Sequence, residues 1–76
     1  MHFIQEAEFT VELDGIAGGR VDDLARDIEQ ACRCDSKAAQ IGYGVAFVNW
    51  DGRRFLTWYS ANGETVTLLS ITSAFP

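Results

Sequence analysis

The chain is short of several residue types. Its 76 residues include one proline, one histidine and one methionine, and its two cysteines stand together as Cys32-Arg33-Cys34. Cations are also scarce, with six Lys and Arg against eleven Asp and Glu and a formal net charge of −5. This excludes binding to nucleic acid through a basic footprint, because a phosphate backbone repels such a surface. Nowhere does an apolar run reach the roughly 18 residues that a helix needs to cross a bilayer. Met1-His2-Phe3-Ile4-Gln5-Glu6 has neither the basic segment nor the apolar run of a signal peptide, so a cytoplasmic location is expected.

Catalytic signatures are missing as well. No Gly-x-Ser-x-Gly elbow is present, and the single histidine, His2, close to the terminus, is a poor candidate for the base that a nucleophile needs. The paired carboxylates Glu6/Glu8 and Asp22/Asp23 are expected on open surface, whereas acid–base chemistry wants a concave, partly desolvated site. No catalytic residue is assigned and the chain is not expected to be an enzyme. Cys32 and Cys34 are one residue apart, which does not fit the usual ligand spacing of a four-ligand zinc site. They read as a buried thiol and a helix-end thiol, with no metal and no cofactor; a small metal or redox protein built on them is the most distant alternative. Gly15-Ile16-Ala17-Gly18-Gly19-Arg20 lacks the spacing of a phosphate-binding loop and is followed by Asp22 and Asp23, which would repel a phosphate, so it reads as a connector.

What is present is the composition of a folded chain, 47% apolar and 22% charged. The length suits one domain, 1–76. Phe3, Ala7, Phe9, Val11 and Leu13 alternate with His2, Glu6, Glu8, Thr10 and Glu12, which predicts a strand over Phe3 to Leu13 with one wet, acidic face. Val21, Leu24, Ala25, Ile28, Ala31 and Cys32 predict an amphipathic helix over Arg20 to Arg33, with Asp22–Arg26 and Glu29–Arg33 as i,i+4 pairs. A capped turn over Asp35 to Gln40 is expected to follow. Asp51-Gly52 and Asn62-Gly63 then predict two tight hairpins joining Ile41–Trp50, Arg53–Ser60 and Glu64 to about Thr72, because Asp-Gly and Asn-Gly tolerate the positive φ of a type I′ turn. The fold class is therefore α+β, β-α-β-β-β, with one amphipathic helix packed on a mostly antiparallel four-stranded sheet.

Two-residue loops fix which side chains share a face. Tyr59 then opposes Gly44 and Val66. Val48, Trp50, Arg53, Phe55, Tyr59, Val66 and Leu68 fall on one side, and Tyr43, Val45, Phe47, Leu56, Trp58, Leu69 and Ile71 on the other. The second set has more aliphatic bulk and no charge, so it is assigned to the helix. The first set is left as an aromatic, Arg-bearing patch suited to a protein partner or a second copy. Its alternative is closure by the tail Ser73-Ala74-Phe75-Pro76, and a one-residue bulge would exchange the faces of every residue beyond it.

Glu6, Glu8 and Glu12, about 6.6–7 Å apart per two residues along a strand, are expected beside this patch, where they would steer it to a basic partner. The partner-binding set is thus Trp50, Arg53, Phe55, Tyr59, Val48, Glu6, Glu8 and Glu12. A short acidic chain with one compact α+β domain and no catalytic signature resembles the small phage-encoded inhibitors that include anti-CRISPR proteins. The resemblance implies stoichiometric binding that covers a nucleic-acid-handling surface of a larger complex, in the host cytoplasm, or that drives inactive dimerisation. The alternative is a structural homodimer whose aromatic sheet face is its core. Neither reading involves a membrane or direct contact with nucleic acid.

Overall fold

The computed structural model describes residues 2–34 and 41–74. Its elements are β1 (His2–Gln5), α1 (Ala7–Ala17), a 3-10 turn (Gly18–Arg20), α2 (Val21–Cys34), β2 (Ile41–Trp50), β3 (Arg53–Asn62) and β4 (Thr65–Ser73). The strands lie in the order β1-β4-β3-β2, antiparallel from β2 to β4, with β1 parallel to β4. This is the expected α+β fold in β-α-β-β-β order. Its helical stage comes in two segments, with α1 on β4, α2 on β2 and each against the other.

The expected first strand is where sequence and structure part. It ends at Gln5, and Ala7–Ala17 is helix. Phe9 and Leu13 are buried and Ile16 and Ala17 pack beside them, a 3.6-residue stripe; Val11, on the same odd register, is 72% exposed. Packing supplies the reason. As a helix, Ala7–Ala17 turns Phe9, Leu13, Ile16 and Ala17 to one side and covers β4, while α2 covers β2. A strand reaching Leu13 would leave β4 without that cover.

Glu6 is the hinge between the two periods. Its N–H donates to Leu68 O at 3.0 Å, and its own carbonyl accepts the Thr10 N–H at 3.0 Å, opening α1. Gly18 ends the helix at φ 54° and ψ −124°, a backbone conformation open to glycine, and donates its N–H to Asp14 O. The expected connector is therefore part helix, since Gly15 lies inside α1, and part 3-10 turn. α2 begins and ends one residue later than expected, burying Leu24, Ile28 and Cys32 at four-residue spacing. Glu29 and Arg33 pair as expected at 4.0 Å, while Arg26 pairs with Asp23 at 3.5 Å instead of Asp22.

Asp51 and Gly52 have φ of 53° and 77°, the two positive values of a type I′ turn, and the β2–β3 register is the expected one. The second turn sits one residue later than expected. β3 runs to Asn62, and Gly63 and Glu64 make the turn, with Asn62 Oδ1 accepting the Thr65 N–H at 2.9 Å. Tyr59 consequently faces Leu68 and Ala61 faces Val66, a shift of two residues that preserves the faces. Further along β4 the register breaks, Trp58 pairing with Ser70 and Thr57 with Ile71, so Leu69 is the extra residue of a bulge. Ile71, expected on the same face as Phe47 and Trp58, is thereby turned to the side of Phe55 and Tyr59 and is 2% exposed.

The core lies on the face that sequence reasoning left open. Val48, Trp50, Phe55, Tyr59, Val66 and Leu68 are buried beneath Phe9, Leu13, Leu24, Ile28 and Cys32. Tyr43, Phe47 and Trp58, expected beneath the helix, are exposed on the other side. Volume decides the choice. Large rings on the inner face are set against Gly44, Ala46 and Ala61, and a Cβ at Gly44 would collide with the Tyr59 ring, so the mixture is level enough for two helices. Charge does not prevent it, because Arg53 sits at a strand end, exposed, with its guanidinium over the Phe55 ring at 5.1 Å. The expected turn over Asp35 to Gln40 and the cover by Phe75 fall outside the described residues.

Candidate interaction surfaces

Four of the expected partner-binding residues, Val48, Trp50, Phe55 and Tyr59, are core side chains, none more than 8% exposed. They have no open surface to offer a partner. Trp50, the last residue of β2, is roofed by Arg20 of the 3-10 turn, whose guanidinium lies 4.5 Å from the ring centroid. Arg20 also reaches Asp23 at 3.9 Å. Arg53 remains at the surface, at the rim of the core.

The three glutamates do not form a strand-borne row. Glu6 and Glu8 are exposed at the start of α1, while Glu12 turns inward. Its Oε1 accepts the N–H of Ile71 at 3.1 Å, two residues past the extra residue of the bulge. β1 pairs with β4 only as far as Leu68, so a carboxylate from α1 serves the edge of β4 beyond the end of β1. This role went unread because it depends on the helix and the bulge together.

The structure sorts charge and apolar surface onto opposite sides. Residues 6–34 hold eight carboxylates and three arginines, which is the whole net charge of −5. Among the described residues, Glu6, Glu8, Asp14, Asp22 and Asp27 stand outside the ion pairs formed by Asp23 and Glu29. Between α1 and α2 runs an open groove of about 410 Å³, lined by Thr10, Val11, Leu13, Val21 and Ala25 with Asp14 and Asp22 among them. An apolar floor with two carboxylates suits the aliphatic stem and charged head of a lysine or arginine.

The outer sheet face has the opposite character. Tyr43, Val45 and Phe47 of β2, Leu56 and Trp58 of β3 and Ile4 of β1 stand on it. Tyr43 is 80% exposed, Phe47 51% and Trp58 46%. Arg54 is its only Lys, Arg, Asp or Glu within the strands, and its guanidinium lies over the Phe47 ring at 4.6 Å. Ser60, Thr67, Ser70 and Thr72 share the face, so its apolar area is concentrated on β2 and β3.

Among the described residues, no group of three His, Cys, Asp or Glu is placed to hold a metal ion, and no helix is long and apolar enough to cross a membrane. Cys32 is buried in the core, while Cys34 is exposed and its Sγ accepts from Gln30 Nε2 at 3.6 Å. No family model, curated protein or solved structure matches the chain.

Proposed function

We propose that this chain is a non-catalytic protein-binding module, a small acidic inhibitor of the anti-CRISPR type, that occludes a basic, nucleic-acid-handling surface of a larger protein. The observation that carries the reading is the gathering of the entire net charge onto the helical layer, around a groove with Asp14 and Asp22 in its lining. Carboxylates so arranged compete with phosphates for a basic groove, steering encounter over distances set by the Debye length. Glu6 and Glu8 keep the role expected of them, and Asp14, Asp22 and Asp27 join them. Glu12 is reserved for holding β4. In this reading the protein works in the cytoplasm, the host's where the chain is phage-encoded, and touches neither membrane nor nucleic acid directly.

The test uses the tagged chain as bait in a nuclease-treated cytoplasmic lysate, with single-stranded and duplex DNA or RNA as competitors. The expected partner is basic, is released by competing nucleic acid or by about 0.5 M salt, and is lost to Glu8→Gln/Asp14→Asn/Asp22→Asn. Capture that ignores salt, competitor and the triple variant contradicts the reading.

A further inference from the structure

The outer sheet face calls for an occupant, and this follows from apolar area, independently of the charge that supports the inhibitor reading. Four strands about 4.8 Å apart, three of them nine or ten residues long at about 3.3 Å per residue, make a face of roughly 500 Å² before side-chain relief is counted. With aromatic side chains at about 150–250 Å² each, the exposed parts of Tyr43, Phe47 and Trp58 alone present on the order of 350 Å². Ile4 and Ile41, 45% and 86% exposed, and the half-buried Val45 and Leu56 extend the patch. The total approaches the roughly 800 Å² per partner of a standard specific interface and exceeds the few hundred Å² that monomers ordinarily leave bare.

We infer that a second copy of this chain covers the face, the two sheets packing face to face about a twofold axis. Charge favours this occupant. A chain of net charge −5 repels its own copy through any surface that brings the helical layers together. The outer face carries no carboxylate within its strands, so apposing two such faces brings no like-charged acids into contact. The acidic layers then lie on the far sides of two sheets that are themselves about 10 Å apart, a separation well beyond the Debye length of about 8 Å at physiological salt. Tyr43, Phe47 and Trp58 are also residue types enriched at the cores of interfaces. The resulting dimer closes a second core in a domain too small to gain much from its first, and presents two acidic surfaces pointing away from each other.

Sedimentation equilibrium at about 100 µM protein tests this, with Phe47→Glu/Trp58→Glu as the interface variant and Val11→Glu, on the exposed side of α1, as the control. The wild type and the control are expected at twice 8.4 kDa, and the interface variant at 8.4 kDa with an unchanged circular dichroism spectrum. Acrylamide quenching of the unmodified chain supplies a readout that does not depend on the variant folding. Trp50 is buried, so the quenchable emission belongs to Trp58, and it is expected to grow on dilution as the dimer parts. Three results overturn the proposal: a wild-type mass of 8.4 kDa, a dimer that survives the double substitution, or a dimer in which Trp58 stays fully quenchable, as pairing through the β2 edge would leave it.

Discussion

Thr57 is fully buried between Ala46 and Ile71 in register, and its Oγ1 makes no hydrogen bond among the described residues. Leaving a hydroxyl unsatisfied in a core costs about 1–3 kcal/mol. Valine keeps the branched shape and β propensity without the polar atom. Thr57→Val is therefore expected to raise the urea midpoint by an equivalent of about 1 kcal/mol; a loss of stability would show that the hydroxyl is satisfied. Residue scale is also where the two sheet faces were misjudged. Greater aliphatic bulk and the absence of charge point to the outer face as the covered one, yet the guanidinium of Arg53, at a strand end of the inner face, lies over Phe55 and is exposed. The better signal was the small set Gly44, Ala46 and Ala61. Gly44 cannot carry a side chain because Tyr59 lies across it, and small residues beside rings mark a face levelled for helices.

At the scale of elements, the legible parts were those with local chemistry. Asp51-Gly52 declared its turn through two positive φ angles, and α2 its stripe through Leu24, Ile28 and Cys32. Two features were illegible because they depend on distant partners. Residues 7–13 satisfy periods of both two and 3.6, and the cover that β4 needs beside α2 on β2 selects the helix. The bulge at Leu69 has no local cause that the sequence displays, and its consequence is the burial of Ile71. The two periods make opposite claims about Val11. In a strand it would share the buried face of Phe9 and Leu13; in α1 it is 72% exposed. Val11→Glu is accordingly expected to change stability by no more than about 0.5 kcal/mol in urea unfolding, whereas a loss of several kcal/mol would restore the strand. Glu12 links α1 to the bulge through the Ile71 N–H. Glu12→Ala should cost about 1–3 kcal/mol and speed hydrogen exchange at Ile71. Glu12→Gln, which keeps a carbonyl acceptor, should recover part of both. Equal effects from the two substitutions would show that the bond does not hold the bulge.

For the whole molecule, the organising fact is the separation of charge from apolar surface. The sequence showed the imbalance along the chain, with all of the net charge before residue 41, but not which sheet face it would back. Folding places the acidic helices over Trp50, Phe55 and Tyr59 and leaves Tyr43, Phe47 and Trp58 on the opposite side. The partner-binding set expected from sequence thus divides. Its aromatic members are core, Glu12 is structural, and Arg53, Glu6 and Glu8 remain at the surface. Two kinds of association are available to such a molecule, and they answer to salt in opposite ways. An acidic helical layer meets basic partners and is screened; an apolar sheet face meets its own copy and is not.

Sedimentation equilibrium of the unmodified chain at low and high salt tests this separation most directly. Twice 8.4 kDa is expected at both salts, with no weakening at high salt. A mass of 8.4 kDa at both salts, or a dimer present only at low salt, would contradict it, because the copies would then be apart or held by the charges of the helical layer.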